Sequence, residues 1–231
     1  MVSETVIMDT PFNLSLLAEL GHPETRQPRV SYLIREVYSN MFAPMVDKEL
    51  EREEVKTETR ISKLEPEDGF WEGEVIAKKQ RVVVADIMRA GMVPSELVYT
   101  RLCSLLDPGC VHQDHLMSQR DDNPTGVTKS TLLGSKIGGS VQDQLVIIPD
   151  PMGATGNSMA EVMSHYLEHY GTPKRFVTMH LVIVRDFIER LMKIPADIHV
   201  YAARQDPRLT TNSYIVPGLG GVGEMISGTD H

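Results

Sequence analysis

The sequence predicts an α/β protein, a mostly parallel sheet flanked by helices, and three observations carry that prediction. Four short apolar runs rich in Val and Ile stand at Val82 to Met88, Leu145 to Ile148, Phe176 to Ile183 and Ile198 to Ala203. They are too short for helices and fit strands buried on both faces. Helical patterns separate them, and strands alternating with helices argue for a parallel sheet. A run of small and hydroxylated residues after one strand opens the next helix. Ligands of such sheets bind beyond the carboxyl ends of the strands.

Taken in order, Val30 to Met45 reads as an amphipathic helix, with Leu33, Ile34, Val37, Tyr38, Met41 and Met45 at steps of three and four. Pro44 predicts its end or a kink. The mixed charges of Asp47 to Glu54 read as a solvated face. Val55 to Ile76 suggests a hairpin arm with Asp68-Gly69 as its turn. Pro94 suits a first helical position, followed on one face by Leu97, Val98, Leu102 and Leu105. Met159, Val162, Met163, Tyr166, Leu167 and Tyr170 form the clearest helical stripe, closed by Gly171 and Pro173. Phe187, Ile188, Leu191 and Met192 form a shorter one, stopped by Pro195. At 231 residues the expectation is one domain over 1–231. Residues 1–76 supply an N-terminal helix and β-arm, and 77–231 an α/β core ending in a C-terminal loop.

Composition limits the function. Apolar residues make up 41% and the formal charge is −9, which suits a globular protein and lacks the basic face of a nucleic-acid binder. A phosphorylated metabolite is still admissible, since it needs only a few backbone N–H groups and one or two Arg. The two cysteines, Cys103 and Cys110, form neither a disulfide framework nor a metal motif. The start shows no signal-peptide pattern and no apolar run is long enough to span a bilayer, so a cytoplasmic setting without membrane contact is expected.

The most informative segment runs from Leu145 to Ser158. An apolar strand delivers Asp150, then Pro151, Met152, Gly153 and Ala154, then Thr155-Gly156-Asn157-Ser158 at the start of the Met159 helix. A helix N-terminus offers unpaired N–H donors and a partial positive charge. Gly156 permits close approach of the backbone, and Thr155 and Ser158 add hydroxyls. That is a phosphate site built without a basic side chain. The plainer alternative is that Thr155 or Ser158 only caps the helix.

This segment resembles the phosphoribosyl-pyrophosphate loop of type I phosphoribosyltransferases, and its Asp-Pro opening is similar to that of uracil phosphoribosyltransferases. Met88-Arg89-Ala90-Gly91 resembles that family's pyrophosphate motif. Asp206-Pro207-Arg208-Leu209 followed by Ser213 to Gly220 resembles its C-terminal uracil loop. The resemblance implies that Arg89 and the Ala90-Gly91 backbone hold pyrophosphate, joined by Arg120. Asp150 would bind the ribose hydroxyls and, with Arg89, form the catalytic pair. The loop from Pro151, Met152 and Gly153 through Ala154, Thr155, Gly156, Asn157 and Ser158 would hold the 5-phosphate. Tyr214, Ile215, Gly220, Gly221 and Val222 would line the uracil, with Gly221 also facing phosphoribosyl pyrophosphate. The cofactor implied is Mg²⁺, held mainly by that substrate, so no metal ligand is assigned on the chain. The implied activity forms UMP and pyrophosphate from uracil and phosphoribosyl pyrophosphate, in a homodimer or larger homo-oligomer with the 55–76 arm as a contact. A paralogue acting on another base or only weakly, and a regulator that senses nucleotide or phosphoribosyl pyrophosphate without catalysis, stay open.

The chain departs from the pattern at three places. Gly221 replaces an acid, and Glu224 stands where a second Asp is usual. A side chain three residues along a tight loop is expected to point elsewhere, so Gly221 predicts slow turnover. Arg120-Asp121 opens the expected loop, but Asp122 to Lys136 differs in length and lacks an aromatic residue. Leu20-Gly21-His22 lacks an expected Arg.

Other signals read as structural. Gly218 to Gly223 matches G-x-G-x-x-G, but it lacks the following helix and strand of a dinucleotide fold. His165 and His169 share a helix face with Glu161 and Glu168, which reads as solvated. His112 and His115 are expected in a loop.

Overall fold

The computed structural model describes residues 2–121 and 129–229, with Arg120, Asp121 and Lys129 described by backbone alone. The chain opens with strand β1 (Val2–Ile7) and helix α1 (Pro11–Leu20). Thr10 caps α1 through Oγ1, which accepts from Asn13 N at 3.3 Å, and Pro11 takes the position where no N–H is needed. Helix α2 (Arg29–Glu49) continues past Pro44, ending four residues beyond the expected end at Met45. A proline inside a helix costs about 3 kcal/mol, yet burying Met45 and Val46 returns roughly 1.5–3 kcal/mol each, so packing wins.

The arm forms from β2 (Arg52–Glu58) and β3 (Phe70–Ile76), antiparallel with Arg52 opposite Ile76. Its connection is the loop 59–69 and not a two-residue turn. Gly69 closes that loop: a Cβ there would meet Ser62 Cα at 2.2 Å, so the glycine answers to a close backbone approach.

The core follows as β4 (Val82–Met88), α3 (Met92–Leu105), β5 (Val111–Asp121), β6 (Lys129–Lys136) and β7 (Leu145–Pro149). Then come the two-residue β8 (Met152–Gly153), α4 (Asn157–His169), β9 (Arg175–Ile183), α5 (Arg185–Leu191) and β10 (Ile198–Gln205). The C-terminal loop carries β11 (Arg208–Leu209), β12 (Ile215–Val216) and α6 (Val222–Ser227). All four predicted strands form. Pro94 falls in the third helical position of α3, one of the first-turn positions whose N–H has no intrahelical partner.

The sheet order is β1-β10-β9-β7-β4-β5-β6, with β8 paired to β9. Pairing is parallel from β1 to β5, and β6 adds an antiparallel edge against β5. Helices α1 to α3 cover one face, while α4 and α5 cover the other. Thus β4, β7, β9 and most of β10 are buried on both sides, which explains their unbroken apolar runs.

From β4 the chain crosses through α3 to β5 on one side, and from β7 through α4 to β9 on the other. Two central neighbours whose connections diverge leave a crevice beyond their carboxyl ends, the place where open α/β sheets bind ligands. The residues that follow those two strands are Arg89 and Asp150.

Two expectations about polar residues need correction. His112 and His115 lie in β5, not a loop. Glu161 is not simply solvated: β6 packs on α4, and Glu161 Oε1 accepts from Leu132 N at 2.6 Å. No helix among the described residues is long and apolar enough to cross a membrane.

Candidate active site

The first turn of the site leaves β4 at Met88. A Cβ on Gly91 would meet Ile87 O at 2.8 Å and Asp86 Oδ1 at 2.9 Å, so the tight turn needs a residue without a side chain. Asp86 lies beneath it, buried, with Oδ2 3.1 Å from His115 Nδ1. Burial pushes the Asp86 carboxyl above its ordinary range, against the pull of His115.

The second turn leaves β7 at Pro149, and β9 holds it residue by residue. Asp150 N donates to Met179 O at 3.0 Å, Leu181 N and Val182 N donate to Pro151 O at 3.0 and 3.2 Å, and Val184 N donates to Gly153 O at 3.0 Å. His180 Nδ1 lies 2.5 Å from Asp150 O. A carbonyl can only accept, so the Nδ1 atom carries the proton. Burial pushes the His180 pKa down to about 3, against that hydrogen bond, and the ring stays neutral. Tyr38 of α2 donates to Met179 O at 2.9 Å and supports the same strand end from the other face.

Gly156, at φ 75°, supplies the left-handed turn into α4. A Cβ there would also press on Arg190 Cβ and Cγ at 3.1 Å. Helix α4 begins without a side-chain cap from Gly156, and Thr155 Oγ1 reaches Asn157 N only at 3.5 Å. Thr155 thus makes one long cap-like contact, and a cleft opens at the start of the helix. Asp150, Met152, Ala154, Thr155, Gly156, Asn157 and Ser158 line it, together with Ser130 of β6. A basic residue does stand nearby, contrary to the sequence reading: Arg190 Nε donates to Asn157 Oδ1 at 3.1 Å.

The third component is the C-terminal loop. Asp206 anchors it, accepting from Arg204 Nε at 2.6 Å, Arg204 Nη2 at 2.8 Å and Gly218 N at 2.8 Å. Such a bidentate pair is geometrically specific and strong. Ile215, Leu219 and Val222 are buried, while Tyr214 is largely exposed. The loop then returns to the first turn. A Cβ on Gly223 would lie 3.7 Å from Ala90, and Glu224 Oε1 lies 3.4 Å from Arg89 Nη2. The expectation that Glu224 points elsewhere is wrong. Its Oε2 lies 2.6 Å from where a Cβ on Gly221 would stand, because α6 starts at Val222 and turns the side chain back over its own cap. Gly21 abuts the same loop, with its Cβ position 3.2 Å from Leu219.

The fold thus brings together Arg89, Ala90 and Gly91, the loop from Asp150 to Ser158, and the Gly220 to Glu224 corner. Arg120 is the last residue but one of β5, opposite Ser130, and its side chain lies outside the described residues, as does the segment 122–128. Sequence reasoning missed Ser130, His180, Asp86 and Arg190. Each acts through tertiary contact with the loops and carries no motif of its own.

An α/β sheet with this pair of turns at its switch point has the phosphoribosyltransferase architecture. The AQ2163 protein of Aquifex aeolicus has the same fold, with a TM-score of 0.77 at 20% identity over 96% of this chain and 97% of that one. A family model for uracil phosphoribosyltransferase matches residues 7–229, and the chain belongs to that family. It is 28% identical to a uracil phosphoribosyltransferase of Dictyoglomus turgidum over 97% of this chain and 99% of the relative. It is likewise 28% identical to one of Anoxybacillus flavithermus, covering 99% and 100%.

Proposed function

We propose that the chain transfers the phosphoribosyl group of phosphoribosyl pyrophosphate to N1 of uracil, releasing pyrophosphate and forming UMP in pyrimidine salvage. The observation that carries this reading is the meeting of three loops: the C-terminal corner rests on Ala90 and Arg89, beside the phosphate loop at the switch point. The reaction works on one domain over 1–231, in a cytoplasmic homodimer or larger homo-oligomer.

In this reading the α4 N-terminus with Thr155 and Ser158 holds the 5-phosphate, and Asp150 orients the ribose hydroxyls. Arg120 and Arg89, with the Ala90-Gly91 backbone, hold the pyrophosphate. As the glycosidic bond breaks, negative charge grows on the leaving group, and Arg89 stabilises it where a preformed donor is worth most. Positive charge grows on the ribose, and Asp150 and Glu224 favour it. Glu224 supplies the carboxylate that residue 221 lacks, since its oxygen already occupies that space. Tyr214, Ile215, Gly220, Gly221 and Val222 enclose the base, and backbone groups there reject bases whose hydrogen-bonding edge does not match.

The expected metal fits this donor set. Mg²⁺ takes hard oxygen ligands, often one or two carboxylates with substrate phosphates. Asp150 and Glu224 would be the carboxylates of that kind, with most of the metal's ligands coming from the substrate. Bound with the substrate, Mg²⁺ would neutralise pyrophosphate charge.

Pyrophosphate release, followed with phosphoribosyl pyrophosphate and each of several bases, tests the reading. Release is expected with uracil, and Arg89→Ala should lower it about 100-fold, the scale of losing one charge-stabilising donor. Thr155→Ala should weaken phosphoribosyl pyrophosphate binding by about 1.5–3 kcal/mol. Tight binding of that ligand with no release on any base would sink the catalytic reading. Release with a different base would sink only the choice of uracil.

A further inference from the structure

The phosphate loop is tied to the antiparallel edge of the sheet by hydroxyl groups. Ser118 Oγ of β5 lies 2.6 Å from Ser130 Oγ of β6, and Ser130 Oγ lies 2.9 Å from Ser158 Oγ in the first turn of α4. Ser118 and Ser130 are diagonal neighbours, since Ser118 pairs with Leu132 and Ser130 with Arg120. The Leu132 N to Glu161 contact at 2.6 Å clamps β6 onto α4 one turn further along. Ser130 also lines the cleft of the phosphate loop.

Each serine hydroxyl has one proton to donate and lone pairs to accept. Run from Ser158 toward Ser118, the chain spends the Ser158 proton on Ser130 and presents only lone pairs to the cleft. Run from Ser118 toward Ser158, it leaves the Ser158 proton for an acceptor in the cleft. A phosphoryl group offers mainly acceptor oxygens and negative charge, so it selects the second direction. A chain polarised in one direction strengthens its last donor.

We propose that Ser130 is a positioning residue of the phosphoryl site. Its hydroxyl accepts a hydrogen bond from Ser118 and donates one to Ser158, which leaves the Ser158 hydroxyl hydrogen to donate to the bound 5-phosphate. The inference rests on the proposed function for the identity of the ligand, and it gives β6 a part in binding that the loop motif does not contain.

Calorimetric titration of phosphoribosyl pyrophosphate into the intact chain and its variants tests it. Ser130→Ala should weaken binding about tenfold, the scale of losing a hydrogen bond to a charged group. Ser130→Thr, which keeps the oxygen on the same carbon, should restore most of that loss. Ser118→Ala should act in the same direction by less. In a Ser158→Ala background, Ser130→Ala should add almost nothing, because the relay has lost its last member. An unchanged Kd in Ser130→Ala, or an undiminished effect in the Ser158→Ala background, would overturn the relay. Thermal midpoints separate misfolding from lost binding, and Ser118→Ala carries the test if Ser130→Ala fails to fold. Inorganic phosphate is titrated in parallel. If the unaltered chain binds phosphate but not phosphoribosyl pyrophosphate, the proposed function falls, and the same variants judge the relay on phosphate. If it binds neither, both fall.

Discussion

The two ends of the parallel sheet both collect charged residues, and they handle them in opposite ways. At the amino ends, Glu49 at the close of α2 meets Arg175 at the start of β9 and His199 and Tyr201 near the start of β10. Its Oε1 contacts His199 Nδ1 at 2.7 Å and also accepts from the Tyr201 hydroxyl, and its Oε2 accepts from Arg175 Nη1 at 3.0 Å. The Glu49 side chain is wholly buried. Burial pushes its carboxyl up, but the hydrogen bonds from Tyr201, His199 and Arg175 outweigh it and hold the group below the usual carboxylate range. At the carboxyl ends, Arg89 and Glu224 touch at 3.4 Å with side chains 54% and 51% exposed. An ion pair that open is worth about 0–1 kcal/mol. The closed network stays put because breaking it strands a buried charge, whereas the open pair can be exchanged for a ligand at small cost. Full satisfaction marks the Glu49 network, as it does Arg204–Asp206 under the C-terminal loop, and loosely held charge marks the Arg89–Glu224 pair.

The comparison can be broken most directly at Glu49. Glu49→Leu leaves His199 and the Tyr201 hydroxyl without their buried acceptor, while Arg175 keeps only Asp197 at 2.6 Å, so chemical denaturation should show a loss of about 3 kcal/mol. Binding of phosphoribosyl pyrophosphate by the fraction still folded should change little. A mild loss of stability, or a large loss of affinity in folded protein, would erase the division between the two ends.

A smaller effect is expected at the open pair. Glu224→Gln should slow uracil-dependent pyrophosphate release about tenfold, or roughly 1.4 kcal/mol of barrier. Gly221→Asp alone should gain little, because the new side chain must first displace the Glu224 carboxylate. In the Glu224→Gln background it should recover most of the lost rate. If steady-state rates instead rise in Gly221→Asp alone and hold in Glu224→Gln, the carboxylate over Gly221 is a bystander.

The smallest effect concerns His180, the buried support of the turn at Asp150. Its folded pKa of about 3 lies below the ordinary value near 6.5, so in that window the unfolded chain binds a proton that the folded chain does not. Stability therefore falls as pH falls, by about 1.2 kcal/mol from this group between pH 6 and pH 5. The Glu49 network, with its depressed carboxyl, adds its own loss only once pH drops below the ordinary glutamate range. Urea midpoints of the unaltered chain and His180→Asn across that interval should differ in slope by nearly one proton. Parallel curves would mean that the ring titrates in the folded state.

Much of this molecule was legible before its fold. The four central strands, the α4 stripe and the segment from Asp150 to Ser158 could be placed because burial on both faces, helical period and glycine chemistry are local properties. Strand β1 was not, since its half-buried pattern becomes a strand only by pairing with β10. Charge misled in both directions. Glu49 sits within a run that reads as solvated, and only the arrival of Arg175, His199 and Tyr201 from distant strands makes its burial tolerable.

What the sequence determined by itself is therefore the class of sheet and the two turns that end its central strands. Both follow from residues adjacent along the chain. Tertiary structure alone decided that the Glu224 carboxylate fills the space over Gly221, that Ser130 joins Ser158 at the start of α4, and that His180 holds Asp150 from beneath. Those contacts join residues on separate elements, and their partners are set by how strands and helices pack.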